Sequence, residues 1–333
     1  MGINELRVNL ARPVLGLSGA AAVSVGDRHQ CALLTGGTVQ CWGQAVSGQL
    51  GDGISATMAV AGPVPVTGLT DATSISVGSD FSCALRAAGT VGCWGKNGSG
   101  QLGGGVPSTM ILLSTVAGVT GARDVAAGWE DACAIVGGTA LGGGMVQCWG
   151  ANVGGVFGDG APAGSPGPVN SDGLPAPATG IATATAIAAG RAHNCALLVD
   201  GTVSCWGLGT DGQLGDGRGT SSPTPVTVVG LTGPVQALSI GNDHTCALLK
   251  TTGTLQCWGK NESGEIGDGT TMDAITAVAV PGLTGVTSVS AGTSHTCVVL
   301  ADHTAACWGD NQYGELGNGA LTASVVPVTV RSP

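Results

Sequence analysis

Charge is scarce in this chain: Asp, Glu, Lys and Arg make up 10% of its 333 residues. The 11 Lys and Arg are scattered and face 21 Asp and Glu, for a net charge of −10 and a pI near 4.6. A nucleic-acid partner requires a basic stripe, and none is present. An anionic membrane surface is an equally poor match. Aromatics are 3%, and six of the seven Trp fall in one recurring motif. The core must therefore be built from Val, Leu, Ile and Ala. Long apolar runs are missing too: the most apolar stretch, around Ile181–Gly190, is too short for a membrane helix. The 3.6-residue period of amphipathic helices is hardly found, which leaves an all-β chain. The first residues, MGINELRVNLARP, lack the basic start and apolar run of a secretory signal. Either a signal lies outside this numbering or the protein is cytosolic.

Glycine is abundant, 61 residues, and sits at fixed positions of a repeat. The marks of that repeat are Cys41-Trp42-Gly43, Cys93-Trp94-Gly95, Cys148-Trp149-Gly150, Cys205-Trp206-Gly207, Cys257-Trp258-Gly259 and Cys307-Trp308-Gly309. The Trp-to-Trp steps are 52, 55, 57, 52 and 50 residues. A period near 50 in strand-like text predicts a propeller or a related array. Each copy divides into four strands. The first alternates apolar and small residues and ends in Gly, as in Ala22-Val23-Ser24-Val25-Gly26. The second and third form a hairpin, and the fourth carries Pro63 and Pro65, Pro223 and Pro225, or Pro327, as an outer edge strand does.

All 12 Cys fall in within-copy pairs: Cys31/Cys41, Cys83/Cys93, Cys133/Cys148, Cys195/Cys205, Cys246/Cys257 and Cys297/Cys307. Counting back from the Thr35-Gly36-Gly37 turn pairs Leu34 with Thr38, Leu33 with Val39, Ala32 with Gln40, and Cys31 with Cys41. The sulfurs then face each other across the hairpin, and the expectation is six disulfides. Each bridge stabilises by roughly 2–3 kcal/mol on the loop-entropy view. They imply an oxidising compartment: secreted, periplasmic or at the cell surface. The alternatives are buried free thiols and zinc, whose C-x2-4-C spacing is not found. Within Cys-Trp the two side chains point to opposite faces, so the ring is free to pack against the next blade while the bridge faces the other way.

Gly-x-x-His-x-Cys-Ala-Leu, Gly-Thr-Val-x-Cys-Trp-Gly-x-Asn and Gly-Gln-Leu-Gly-Asp-Gly together resemble the repeat of the regulator of chromosome condensation family. Gly241–Leu248 followed by Cys257–Asn261 carries the match best, and it extends over about residues 13–330. The resemblance implies a single β-propeller of four-stranded blades occupying 13–333, after an irregular segment 1–12. Six marks predict six blades; the best-known relatives have seven, and Arg7–Leu17 leaves room for a partial extra blade or a strand exchange. The family's nucleotide-exchange and chromatin roles are not carried over to an acidic, disulfide-bridged chain. The third copy is irregular. Its hairpin is lengthened by Ala140–Gly144, Val156-Phe157 replaces Gln-Leu, and an insertion follows at 160–179.

The residue two before the first Cys is His at 29, 193, 244 and 295, and Phe81 or Asp131 elsewhere; this spacing suits packing and hydrogen bonding, not a metal. Between Gly and that residue lie pairs that vary on a constant frame: Asp27-Arg28, Ser79-Asp80, Trp129-Glu130, Arg191-Ala192, Asn242-Asp243 and Thr293-Ser294. Placed at one mouth of the propeller axis, Asp27, Arg28, Asp80, Trp129, Glu130, Arg191, Asn242 and Asp243 form a candidate surface for a protein or glycan ligand. A binding scaffold, a monomer without cofactor or metal, is the first expectation. The alternative is a hydrolase, most plausibly a glycoside hydrolase using Asp80, Glu130 or Asp243 as acid and base. No nucleophile elbow or phosphate loop is present. The Gly-Asp-Gly loops lack the ligand density of a calcium site. Asn97-Gly98-Ser99 and Asn261-Glu262-Ser263 are glycosylation sequons.

Overall fold

A computed structural model describes residues 13–55, 58–104, 112–139, 142–162 and 175–331. The segment 1–12, Ala140 and Leu141 of the lengthened hairpin, and 163–174 of the insertion lie outside the described residues. The described chain falls into two compact bodies. One holds Val14–Leu208 with Ser221–Thr227; the other holds Gly209–Thr220 with Val228–Pro333.

The amino-terminal body carries four repeat units. Their strands are β1 (Ala20–Val25), β2 (His29–Leu34), β3 (Val39–Gly43) and β4 (Val60–Pro65); β5 (Ala72–Val77), β6 (Phe81–Arg86), β7 (Val91–Gly95) and β8 (Ser114–Thr115); β9 (Ala122–Ala127), β10 (Asp131–Thr139), β11 (Gly143–Gly150) and β12 (Ala176–Pro177); and β13 (Ala184–Ala189), β14 (His193–Leu198), β15 (Val203–Gly207) and β16 (Ser222–Thr227). The carboxy-terminal body carries two: β17 (Val235–Ile240), β18 (His244–Leu249), β19 (Leu255–Gly259) and β20 (Ala274–Ala279); then β21 (Val286–Ala291), β22 (His295–Leu300), β23 (Ala305–Gly309) and β24 (Ser324–Thr329). Within each unit the strands pair antiparallel in sequence order. Four units are separate four-stranded sheets, while the third and fourth are joined into one eight-stranded sheet. The join is a single pair, Gly144 with Ala184, made because the lengthened β10–β11 hairpin reaches the first strand of the following unit.

The register follows the turn. Leu34 N–H bonds the Thr38 carbonyl at 2.9 Å, and Leu33, Ala32 and Cys31 pair with Val39, Gln40 and Cys41. The other five hairpins place their Cys opposite one another in the same way. All six disulfides are present, with Cα–Cα distances of 4.0 or 4.1 Å. The glycine closing each Cys-Trp-Gly has φ between 104° and 112°. A Cβ on Gly43 would sit 2.6 Å from the Arg28 carbonyl oxygen, so that position admits glycine alone.

The core lies at the joints between units rather than inside each sheet. Cys31, Leu33, Val39, Cys41 and Leu50 of the first unit pack with Val77, Ala84 and Trp94 of the second. Cys83, Leu85, Val91 and Cys93 then pack with Val125, Ala132 and Trp149 of the third, and the pattern repeats onto Trp206 and Trp308. The disulfide face of each of these units meets the tryptophan face of the unit that follows. This corrects the sequence expectation: the ring packs on the preceding unit, and the bridge looks toward the next. Alternation along a strand separates the two faces, but it does not say which neighbour each one meets.

Candidate functional site

Three hydrogen bonds recur at the joints. The first uses the indole N–H. Trp94, Trp149 and Trp206 donate to the carbonyl oxygens of Gln49, Gln101 and Val156 in the loop of the preceding unit, at 2.8–3.0 Å. Trp258 and Trp308 do the same to Gln213 and Glu265. The loop's second glycine lies against the ring: a Cβ on Gly51 would meet Trp94 Cδ1 at 2.8 Å. Val156 and Phe157 are buried where the other units have Gln-Leu or Glu-Ile, so the third loop keeps this bond although its sequence departs from the motif.

The second bond joins first strands. Val77 N–H donates to Ser24 Oγ at 3.1 Å, Ala127 N–H to Ser76 Oγ at 2.9 Å, and Ala291 N–H to Ser239 Oγ at 2.8 Å. The third unit has Ala126 in place of that serine, and Asp124 replaces it functionally by accepting from Ile187 N–H at 3.1 Å. The third bond involves the recurring histidine. His29 Nε2 meets Ser82 Oγ at 2.7 Å and His244 Nε2 meets Thr296 Oγ1 at 2.9 Å. Where the histidine is replaced, its partner changes with it. Phe81 packs with Ala132, and Asp131 accepts from Asn194 Nδ2 at 2.9 Å. Burial sets the charge state of these groups. It pushes the imidazoles of His29 and His193 down to about 4 and about 3, and the Asp131 carboxyl up to about 7 against the opposing Asn194 bond.

The variable pairs sit in the turns between first and second strands, at one end of each sheet. The residue after each Cys-Trp-Gly lies at the same end, because its N–H bonds the carbonyl of the turn's last residue. Gln44 bonds Arg28, Lys96 bonds Asp80, Ala151 bonds Glu130, Lys260 bonds Asp243 and Asp310 bonds Ser294. Turn and loop thus form one surface, and Lys96 and Lys260 belong to it. Neither was among the expected site residues. Their signal was available: the position after Cys-Trp-Gly varies as freely as the turn pair does.

The expected residues are placed as follows. Asp27 and Arg28 form an exposed ion pair within one turn, at 3.1 Å. Asp80 accepts from Gln49 Nε2 at 3.3 Å. Glu130 is held by Lys96 Nζ at 2.6 Å and by Ser99 Oγ at 3.3 Å. Trp129 is half-buried, and its backbone N–H bonds the Gly190 carbonyl at 3.1 Å. Arg191 is exposed; Asn242 and Asp243 are half-buried, with Asn242 N–H directed at the Thr293 carbonyl at 3.4 Å. Asp80 and Glu130 are held by separate neighbours. Asp131, the carboxyl group raised to about 7, is fully buried behind the turn and faces Asn194, not solvent.

Two other sequence signals resolve into structure. Asn97 and Asn261 are buried, and their side-chain oxygens accept from Leu102 N–H and Ile266 N–H at 3.0 and 2.9 Å, so the sequons are loop braces. In the Gly-Asp-Gly loops the carboxylate accepts an N–H two residues on, as Asp52 does from Ile54 and Asp268 from Thr270. Asn318 makes the same bond to Ala320, so the turn needs an acceptor and not a charge. No cluster of three or more His, Cys, Asp or Glu suited to a metal occurs among the described residues.

Charge on this surface differs between the bodies. In the amino-terminal body Asp27, Asp80 and Glu130 are balanced by Arg28, Lys96 and Arg191. In the carboxy-terminal body Asp211, Asp243, Glu262, Asp310 and Glu315 accompany one cation, Lys260, among the described turn and loop residues. Lys260 bonds Glu262 at 3.0 Å and has its pKa raised, first by that bond and then by the nearby Asp243 and Asp211.

Comparison with known proteins agrees with this architecture. Models of the regulator of chromosome condensation (RCC1) repeat match residues 36–85 and 200–248, and a second such model matches 20–49, 72–101, 184–213, 235–265 and 286–315. The human E3 ubiquitin-protein ligase HERC2 is 30% identical over 280 residues, which are 83% of this chain and 6% of that protein. The Arabidopsis thaliana ultraviolet-B receptor UVR8 is 31% identical over 288 residues, 84% of this chain and 62% of its own length. The chain therefore spans under two thirds of either relative. Among solved structures, human WBSCR16 superposes with a TM-score of 0.81 at 21% identity, covering 94% of this chain and 83% of that one. Yeast RCC1 (Prp20), solved bound to Kap60, gives 0.79 at 20% identity over 93% and 74%. With its repeat matched over more than half its length, its sheets four-stranded and every unit carrying a disulfide, this chain belongs to the RCC1 repeat family and is an all-β propeller.

Proposed function

We propose that the chain is a protein-binding scaffold of six blades that works in an oxidising compartment and engages its partner through the turn-and-loop surface. One observation carries this reading. The residues that repeat are spent on joints, loops and bridges, while the residues that vary are gathered at one end of every sheet. The charge difference supports a specific form of it. The acidic surface of the carboxy-terminal body suits a basic polypeptide segment, since opposed potentials speed encounter and select the partner. Related chains act through proteins: yeast RCC1 was solved bound to Kap60, and Prp20p is described as binding Gsp1p and histones. The glycan reading rests on Trp129 alone, and the hydrolase reading on carboxylates of which Asp80 and Glu130 are held by separate neighbours. The secreted setting rests on the six bridges.

The test is binding of lysine- and arginine-rich peptides and of acidic peptides of equal length, at low and high salt. The basic set should bind, more weakly as salt rises, and Asp243→Asn with Glu262→Gln should weaken it about tenfold, roughly 1.4 kcal/mol. Equal binding of both peptide sets, or affinity unchanged by the double substitution, contradicts this surface. Mass analysis after alkylation without reductant addresses the compartment: almost no thiol should be labelled, and twelve labelled thiols would remove the oxidising setting.

A further inference from the structure

Five of the six loops carry Gln or Glu at one position: Gln49, Gln101, Gln213, Glu265 and Glu315. In each, one side-chain oxygen accepts the N–H two residues before it, from Ser47, Ser99, Asp211, Ser263 or Tyr313, at 2.8–2.9 Å. That bond needs only an oxygen, so amide and carboxylate serve it equally. The two differ at the second atom. In Gln49 it is a nitrogen, and it donates to Asp80 in the turn of the next unit at 3.3 Å. Gln213 Nε2 donates to Asp211 at 3.3 Å. In Glu265 it is an oxygen, Oε1, and the turn of the next unit holds Thr293-Ser294, with no acid to be met.

Glu265 is only 3% exposed, yet its Oε1 has no hydrogen-bond partner among the described residues and is not sealed from solvent. A carboxylate so far withdrawn from water loses hydration that nothing in the chain replaces at that oxygen. Burial raises its pKa, against the Ser263 bond and the nearby Lys260. Lys260 itself is bonded to Glu262 at 3.0 Å. Its counterpart in the second unit, Lys96, reaches forward to Glu130 in the next turn; Lys260 has Ser294 at that place and bonds within its own loop. Ser294 Oγ makes no hydrogen bond among the described residues. Asp310 stands beside the same turn, half-buried, with its N–H on the Ser294 carbonyl at 2.7 Å. The fifth loop and the sixth turn therefore offer acceptors where the first loop and second turn offer a donor and an acceptor already joined.

We propose that Glu265 anchors one lysine side chain of the basic segment bound by the turn-and-loop surface. This rests on the function proposed above and names the side chain that enters. The ammonium donates to Glu265 Oε1 and to Ser294 Oγ, and Asp310 adds attraction from the same turn. Lysine fits better than arginine for a geometric reason. A guanidinium gains most from a carboxylate with both oxygens free, in a paired fork. Glu265 has one, since Oε2 is held by Ser263 N–H. One free oxygen beside a hydroxyl suits the compact ammonium, whose rotatable donors can meet both.

The test is binding of two peptides of equal length and charge to the 333-residue protein, one with lysine as its only cation and one with arginine. The lysine peptide should bind more tightly, by roughly fivefold. Glu265→Gln installs the residue found at Gln49, Gln101 and Gln213, and the joint bonds from Trp308 and Thr296 go to the backbone carbonyl of this residue, so the fold should stand with an unchanged urea midpoint. It should weaken the lysine peptide about tenfold and the arginine peptide much less, which removes the preference. Ser294→Ala should weaken the lysine peptide by about threefold. Equal affinity of the two peptides for the native chain, or lysine binding unchanged by Glu265→Gln, overturns the anchor. If Asp243→Asn with Glu262→Gln still weakens both peptides in that case, the surface reading stands without it. Failure of both peptides to bind removes the surface reading and the anchor together.

Discussion

The joint between the first and second units and the joint between the third and fourth are assembled from different chemistry. The former uses neutral groups: Ser24 accepts from Val77 N–H, and His29 meets Ser82. The latter uses two carboxyl groups, one half-buried and one buried: Asp124 accepts from Ile187 N–H, and Asp131 accepts from Asn194. Both keep the indole bond from the following tryptophan, Trp94 or Trp206. The difference teaches that a joint requires a matched pair rather than a particular residue. Histidine goes with a hydroxyl, phenylalanine with alanine, and aspartic acid with asparagine.

The largest expected effect is on what the two joints share. Trp94→Ala and Trp206→Ala should each destabilise by about 3–5 kcal/mol, through the lost ring and the cavity it leaves. Chemical denaturation measures this, and a cost under about 1 kcal/mol at either site would remove tryptophan from the shared frame. The next effect separates the joints. Asp131→Ala removes one acceptor of the buried Asn194 amide, which keeps its bond to the Val156 carbonyl, and should cost about 1–3 kcal/mol. Phe81→His, facing Ala132, should also destabilise, because an imidazole buried against a methyl group has no hydroxyl to meet. A neutral Phe81→His would break the pairing rule.

pH sharpens the contrast because the two joints titrate in opposite senses. The His29 pKa falls from 6.5 to about 4 on folding, so its contribution is present above pH 6.5 and is lost as pH drops from 6.5 to about 4. The Asp131 pKa rises from 3.8 to about 7, so its contribution is present below pH 3.8 and is lost as pH climbs to about 7. The stability gained by Asp131→Asn over the native chain should therefore grow between pH 4 and pH 7 and level off above, as urea midpoints would show. A difference that shrinks over that window contradicts a buried, raised carboxyl. A smaller effect concerns the bridges: Cys297 is half-buried where the other first-position cysteines are buried, so Cys297–Cys307 should be reduced and alkylated before the five others, and uniform labelling would contradict that difference in exposure.

Much of this frame was legible in the sequence. The hairpin register could be counted from the Thr35-Gly36-Gly37 turn, because antiparallel pairing fixes every later partner once the turn is placed. The packing role of the histidines could be read from their periodic spacing. Their partners could not, since Ser82 lies 53 residues from His29 and changes identity in other units. The neighbour of each tryptophan was hidden for the reason given above: alternation names a face and not what covers it. The turn pairs were found as one end of the sheets, but Lys96 and Lys260 were missed, and with them the ion pair that occupies Glu130. Nothing in Asn97-Gly98-Ser99 says that the amide is buried under its own loop; that depends on a bond to Leu102 five residues on.

The central claim, that joints are interchangeable matched pairs, is tested most directly by transplanting one into another. Asp131→His and Asn194→Ser would be made singly and together, and unfolding free energies compared in a double-mutant cycle. The account predicts that each single change destabilises and that the double variant recovers most of the loss, giving a favourable coupling of about 1 kcal/mol or more. Strictly additive losses, with no recovery in the double variant, would contradict it.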